Sequence, residues 1–100
     1  MNINIKISVN SDNNSLKEYI KTKVKRLEKH YNHIKKFHIV LKIENKYQHK
    51  AEAEIYILEN KNKLIANSIS KNMYSSIDTL IDKLDKQIIK FKEKSQNYNI

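Results

Sequence analysis

The side chains that could carry out acid–base or metal chemistry are few, and they are spread along the chain. Asp78, Asp82 and Asp85 recur at helical spacing, and histidines stand at positions 30, 33, 38 and 49. His30 and His33 are close enough in sequence to share a metal ion, but no third ligand follows in register. The chain has no cysteine to act as a nucleophile and no glycine to form a phosphate-binding loop. We therefore predict no enzyme activity, no metal and no cofactor, and interpret the aspartates as solvated carboxylates on a helix surface.

The charge balance favours a polyanionic partner. The 100 residues include 20 Lys and Arg against 11 Asp and Glu, a net charge of +9, and all but one of these cations are lysines. Such a charge directs a protein towards nucleic acid, although a biased composition can also produce it without a specific function. The sequence contains neither a membrane-spanning apolar run nor a signal segment, so a cytoplasmic protein without a membrane or small-molecule partner is expected.

The segment Asn72–Ser95 predicts a long amphipathic helix sorted by charge. Its apolar residues fall within one arc of roughly 100°, the width of a stripe that packs on a core. Lys83, Lys86, Lys90 and Lys94 fall on one flank of that stripe. The three aspartates fall on the other side. The apolar stripe consists of Met73, Ile77, Leu80, Ile81, Leu84, Ile88 and Phe91.

A first helix is predicted from Ser15 to about Tyr31. Ser15 and Glu18 have the spacing of a capping box, in which each side chain satisfies a free backbone N–H of the first turn. One flank of this helix carries Lys23, Arg26 and Lys29. Its apolar stripe consists of Leu16, Tyr19, Ile20, Val24, Leu27 and Tyr31.

Four segments alternate between apolar and polar residues and predict strands at about residues 2–9, 37–44, 51–58 and 64–69. Polar residues 45–49 and 59–62 are expected to form the connections between the last three. The order β-α-β-β-β-α predicts an α+β fold, a four-stranded sheet with both helices on one face. Residues 1–95 are expected to form a single domain, followed by a short tail over residues 96–100. The small residues Ala51 and Ala53 favour close approach of a helix.

The basic flanks of the two helices are predicted to form one RNA-binding strip across the helical layer. Lysine-rich strips contact phosphates as point charges, so binding is expected to depend on shape and salt more than on base sequence. Tyr74, at the start of the last helix, can stack on a base. The predicted RNA-binding residues are Lys23, Arg26, Lys29, Tyr74, Lys83, Lys86 and Lys90.

Two segments, LEKHYNHIKKFHIVLKIE (residues 27–44) and NMYSSIDTLIDKLDKQIIKFKEK (residues 72–94), resemble the short ribosome hibernation promoting factors and the related ribosome-associated translation inhibitors. In that family the last helix opens with an acidic residue, Met and Tyr, followed by a small pair, Ile-Asp and a Leu-Ile-Asp-Lys-Leu core. Residues 73–84 follow this pattern closely, and the resemblance extends from Ile3 to Lys94 in the same element order. Asn72 replaces the acidic residue but keeps the ability to cap the helix. Asn60-Lys61-Asn62 replaces a glycine-rich hairpin.

The resemblance implies a fold like that of double-stranded-RNA-binding domains and binding in the decoding channel of the small ribosomal subunit. The basic residues would grip ribosomal RNA, and the protein would occlude messenger and transfer RNA in starved or stationary cells. We expect the protein to lack the dimerisation domain of the long family members. By resemblance it is a short form, a monomer off the ribosome, that promotes ribosome dimers with a separate factor.

Two other functions remain open at the level of sequence. One is a general double-stranded RNA binder, although such domains place a lysine cluster at the start of the last helix, where this chain has only Lys71. The other is a protein-interaction module that uses the outer sheet face. That face is expected to carry Val40, Tyr56, Leu58, Ile65 and Ile69 among charged residues.

Overall fold

The alternating and helical patterns of apolar residues form four strands and two helices. The computed structural model describes residues 2–8, 13–31, 34–57 and 63–98, with side chains up to residue 93. The predicted β-α-β-β-β-α order and α+β class are confirmed. The elements are β1 (Asn2–Ser8), α1 (Asn13–His30), β2 (Ile34–Asn45), β3 (Gln48–Ile57), β4 (Lys63–Ser70) and α2 (Met73–Tyr98).

The strands lie in one sheet in the order β1-β2-β3-β4. β1 runs parallel to β2, with Ile5 opposite Ile39, because α1 carries the chain back across the sheet between them. β2, β3 and β4 are joined as antiparallel neighbours, with Ala53 opposite both Ile39 and Ala66. β4 therefore forms one edge of the sheet, and β1 forms the other.

The core lies between one face of the sheet and both helices, as the apolar stripes predict. Leu16, Ile20 and Val24 of α1 and the stripe of α2 belong to the same cluster of buried side chains. The sheet contributes its inward-facing residues to this cluster, while their neighbours in sequence point to the other face. Among the largest fully buried side chains of the cluster are Phe37, Ile39, Leu41, Ile55, Ile77, Leu80, Leu84 and Ile88.

Small residues let α2 lie close to β3 and β4. Ala51 and Ala53 are buried beneath the helical layer, in agreement with the prediction. Ser68 of β4 and Ser76 of α2 are also buried, and each hydroxyl has a backbone acceptor. Ser68 Oγ donates to the carbonyl of Ser76, and Ser76 Oγ donates to the carbonyl of His49. These two bonds fix the first turns of α2 against the neighbouring strands.

Asn72 caps the start of α2. Its Oδ1 accepts a hydrogen bond of 2.8 Å from the backbone N–H of Ser75, which would otherwise have no helical partner. The capping ability expected of Asn72 in place of an acidic residue is confirmed. At its other end α2 continues to Tyr98, beyond the predicted end at Ser95 and into the segment expected to be a tail.

The prediction that Ser15 begins the first helix was wrong. α1 begins at Asn13, so Ser15 lies inside its first turn and cannot hold the non-helical conformation of an N-cap. Asparagine and aspartate are as favourable as serine at that position, and residues 10–14 supply several of them. Asn13 and Asn14 are helical, so α1 begins two residues ahead of the start that the capping-box spacing indicates. α1 ends at His30, close to the predicted Tyr31.

The polar loop predicted between the second and third strands is a two-residue turn, Lys46–Tyr47. Asn45 makes this possible, because its Oδ1 accepts from the backbone N–H of Tyr47 at 3.0 Å and its Nδ2 donates to Gln48 Oε1 at 2.6 Å. The polar residues Asn45, Gln48 and His49, which were predicted to lie in a loop, belong instead to the two strands. β2 also begins earlier than predicted, at Ile34, which is buried and lies opposite Ile57.

Some predictions fall on residues outside the described ranges. These are the turn over residues 59–62, the strand residue Val9, the outer-face residue Leu58, and His33 of the histidine pair. Within the described ranges, neither helix is long and apolar enough to cross a membrane.

Candidate RNA-binding surface

A groove of ≈ 380 Å³ separates α1 from α2 on the helical layer. Cations of α1 form one wall, and carboxylates of α2 form the other. Lys23 and Arg26, both predicted to bind RNA, therefore lie opposite acidic residues, whereas Lys29 is exposed outside the groove. The charged lining consists of Lys23, Arg26 and His30 from α1, and Asp78, Asp82 and Asp85 from α2.

Asp78 joins the two helices near the start of α2. Its Oδ1 accepts a hydrogen bond of 2.5 Å from the hydroxyl of Tyr19 and lies 3.4 Å from Lys23 Nζ. Lys23 also lies over the ring of Tyr19, 5.3 Å from its centroid, and only 21% of its side chain is exposed. The hydrogen bond to Asp78 is the main cause that raises the pKa of the Tyr19 phenol above its usual value, since it favours the protonated form.

The ring of Tyr19 also contacts Tyr74. The two rings meet edge to face, with centroids 4.9 Å apart and planes at 84°. This is a favoured arrangement for aromatic pairs. Tyr74 remains 42% exposed, so one part of its ring packs on α1 while another part faces solvent. The contact with Tyr19 fixes the position of the ring, and stacking of Tyr74 on a base stays a prediction.

A second contact joins the helices near the end of α1. His30 Nδ1 lies 2.7 Å from Asp85 Oδ1, and Lys92 Nζ donates a hydrogen bond of 2.7 Å to the carbonyl of His30. The carbonyl is one of the last of α1, where a cation satisfies a free acceptor. The rings of Tyr31 and Phe91 meet edge to face beside it, with centroids 5.9 Å apart. The helices are thus tied together at both ends of the groove.

The opposite flank of α2 faces the edge of the sheet. Lys83 Nζ donates a hydrogen bond of 2.8 Å to the carbonyl of Asn67, and Gln87 Nε2 donates one of 2.9 Å to the carbonyl of Ile65. Both acceptors belong to β4, the edge strand, whose outward carbonyls have no neighbouring strand among the described residues. Lys83, predicted to bind RNA, thus also satisfies the sheet edge in this structure.

Lys86 and Lys90 are exposed on the same side of α2 as Lys83. The carboxylates of α2 lie between these lysines and α1, because Asp78 and Asp85 contact α1 while Lys83 contacts β4. The two basic flanks therefore do not form the single strip that was predicted. They form two basic surfaces separated by an acidic row, and the RNA-binding role of their residues stays a prediction.

Sequence reasoning missed Tyr19 and misjudged two of the aspartates. Tyr19 was assigned only to the core stripe, and Asp78 and Asp85 were interpreted as solvated carboxylates. Asp78 and Asp85 are one heptad apart and face a row of α1 that carries hydrogen-bond donors. This match between acceptors on one helix and donors on the other could have predicted the contacts from the sequence. Within the described residues, no group of three histidines or carboxylates is placed to hold a metal ion.

On the outer face of the sheet acidic and basic side chains are interleaved, and they form ion pairs both within β3 and between β3 and its neighbouring strands. Glu52 lies 3.8 Å from Lys42 and 3.0 Å from Lys50, and Glu54 lies 3.8 Å from Lys63. The hydroxyl of Tyr56 donates to Glu54 at 2.7 Å, which lowers the pKa of the Glu54 carboxyl. Ile65 and Ile69 are exposed beside these pairs.

Solved structures define the class of fold. A ribosomal subunit interface protein from Coxiella burnetii is similar with a TM-score of 0.82 and 26% sequence identity, over 93% of this chain and 99% of that chain. The N-terminal domain of Thermus thermophilus Protein Y matches with a TM-score of 0.77 over 91% of this chain and 99% of that chain. At 20% identity the latter shows the shared fold alone.

Sequence comparison gives the family. The profile of the family described as Sigma 54 modulation protein / S30EA ribosomal protein matches residues 3–96, and the chain belongs to this family. The ribosome hibernation promoting factor of Azotobacter vinelandii is 38% identical over 80% of this chain and 72% of that protein. The factors of Pseudomonas putida and Escherichia coli K12 are 39% and 33% identical, over 82% and 84% of this chain and 78% and 85% of those proteins. The resemblance inferred from the two sequence segments is confirmed.

Proposed function

We propose that this chain is a ribosome hibernation factor that acts in the cytoplasm. The observation that carries the proposal is the family match over residues 3–96, together with curated relatives that bear the name ribosome hibernation promoting factor. The exposed lysines of the helical layer add a physical reason, since they form surfaces that can neutralise RNA phosphates. The outer sheet face gives less support, because its carboxylates are interleaved with its lysines.

The mechanism we propose is occupation of the decoding channel of the small ribosomal subunit. The helical layer would contact ribosomal RNA there, and the body of the domain would exclude messenger and transfer RNA. Translation is then inhibited by a steric block and not by a covalent reaction. Together with a separate factor, the protein would promote the formation of ribosome dimers.

The structure suggests how the seven predicted residues would divide this work. Lys86 and Lys90 are exposed and free to follow a phosphate backbone, and Lys29 has the same freedom on α1. Lys83 would approach a phosphate beside the sheet edge. Lys23, Arg26 and Tyr74 would contact RNA along the interhelical groove. The acidic row between the two surfaces favours two separate tracks of phosphates over a single continuous one.

Co-sedimentation of the purified protein with isolated ribosomal subunits tests this proposal. Small subunits, large subunits and a plain RNA duplex are compared at low and moderate salt. We expect the protein to sediment with small subunits at moderate salt and to bind the duplex and the large subunits much more weakly. Equal affinity for the duplex would instead support a general double-stranded RNA binder. Absence of binding to any subunit by the folded protein would contradict the proposed function.

A further inference from the structure

Two aspartates one turn apart on α2 have different surroundings. Asp78 accepts a hydrogen bond from Tyr19 and forms an ion pair with Lys23. Asp82 is exposed and has no hydrogen-bond or ion-pair partner in the part of the chain that the structure describes. Both carboxylates lie on the groove side of the same helix. They therefore form a matched pair, in similar positions but with different contacts.

The contacts of Asp78 reach two of the seven residues predicted to bind RNA. The carboxylate holds Lys23 directly, at 3.4 Å. It holds Tyr74 through Tyr19, because the phenol of Tyr19 is fixed by the 2.5 Å hydrogen bond and its ring packs edge to face on Tyr74. A side chain already held in its binding conformation loses less conformational entropy when a ligand arrives.

We propose that Asp78 is a positioning residue for RNA binding, which holds Lys23 directly and Tyr74 through Tyr19. The inference rests on the proposed function and names a residue that binds no RNA itself. A carboxylate repels phosphate, so its presence beside a polyanion-binding surface has a cost. For Asp78 this cost is offset because the carboxylate holds Lys23 and Tyr19 in place. Asp82 holds no neighbouring side chain among the described residues, so nothing offsets its cost.

The two aspartates therefore predict affinity changes of opposite sign. Asp82→Asn removes a negative charge and nothing else, and should tighten binding to small subunits by about two- to fivefold. Asp78→Asn removes the same charge, and with it the ion pair to Lys23, and leaves Tyr19 with a weaker hydrogen bond to a neutral amide oxygen; it should weaken binding by about three- to tenfold. If charge alone mattered, both substitutions would tighten binding. Whether Asp78→Asn weakens or tightens binding therefore tests the inference.

Additional variants separate positioning from a loss of folding. Tyr19→Phe deletes the hydroxyl and keeps every charge of the surface at neutral pH, and it should also weaken binding. In a chain that carries both Tyr19→Phe and Lys23→Gln, the further substitution Asp78→Asn should no longer weaken binding, because its partners are gone. Carbon NMR of the tyrosine rings should show the pKa of Tyr19 falling in Asp78→Asn, while Tyr56, which bonds to Glu54, titrates as before.

The binding assay distinguishes the possible failures. Binding that tightens equally in Asp78→Asn and Asp82→Asn would overturn the positioning role while leaving the proposed function in place. A Tyr19→Phe variant that binds like the wild type would overturn the same inference. A wild-type protein that binds no small subunits would overturn the proposed function, and the inference with it. Weaker binding in Asp78→Asn and Tyr19→Phe, with tighter binding in Asp82→Asn, would support it.

Discussion

The two flanks of α2 use charge in different ways. On the side of α1, Asp78 and Asp85 accept from Tyr19 and His30, so the acidic flank joins one helix to the other. On the side of β4, Lys83 donates a hydrogen bond to a backbone carbonyl, so the first lysine of the basic flank satisfies an acceptor at the edge of the sheet. The charge sorting that is visible in the sequence therefore has structural consequences on both sides. Lys86 and Lys90, further along the same flank, are exposed.

Charge reversal on the free part of the basic flank should have the largest effect. We expect Lys86→Glu together with Lys90→Glu to weaken binding to small subunits on the order of 100-fold, because two cations that we propose to face phosphates become anions. Lys36→Glu with Lys42→Glu makes the same change of charge on the outer sheet face. That pair should change binding by far less, as measured by co-sedimentation. The reverse ranking would favour a protein-interaction module on the outer sheet face.

Removal of the cation at the sheet edge should have an intermediate effect. Lys83→Met deletes the hydrogen bond to the Asn67 carbonyl and should lower the free energy of unfolding by about 1 kcal/mol. An edge strand with free carbonyls also pairs more readily with other chains, so self-association should increase in sedimentation velocity.

Lys86→Met is the matched control for the sheet edge, since it removes an exposed lysine from the same flank. We expect it to leave stability and self-association unchanged. Equal behaviour of the two variants would show that the contact between Lys83 and β4 does not protect the edge.

The smallest effect is expected from the pH dependence of the Tyr19 hydrogen bond. The folded-state pKa of Tyr19 lies above its unfolded value, so the bond contributes fully below the unfolded pKa of about 10 and is lost as pH rises through the folded pKa. The stability difference between wild type and Tyr19→Phe in urea should therefore be constant near neutral pH and shrink in alkali. Tyr47→Phe, at an exposed turn residue, serves as the control. A difference that persists in alkali would mean that Tyr19 stabilises the groove through its ring alone.

Most of the fold could be predicted from local patterns. The alternation of apolar and polar residues in the strands and the apolar stripes of the helices determine which side chains are buried. The order of the elements then leaves few possible sheet topologies. Errors arose where a polar side chain serves the backbone instead of solvent. Asn45 continues a hairpin by bonding to its own turn. The capping-box spacing also misplaced the start of α1, which includes Asn13 and Asn14 ahead of Ser15.

The candidate site could be predicted only in part, because it depends on how two helices face each other. A helical wheel separates the lysines from the aspartates of α2, but it does not say which flank lies beside α1. The contacts of Asp78 with Tyr19 and of Lys83 with Asn67 join residues 59 and 16 positions apart in the chain. No pattern within one element predicts these contacts. For that reason the prediction of a single basic strip was wrong.

The most direct test of the account is competition for the small subunit. Small subunits are loaded with messenger RNA and initiator transfer RNA, and binding of the protein is compared with that to empty subunits in the same gradient. Occupation of the decoding channel predicts that the loaded subunits exclude the protein and that an excess of the protein prevents loading. Simultaneous binding of the protein and both RNAs to one subunit would contradict the account.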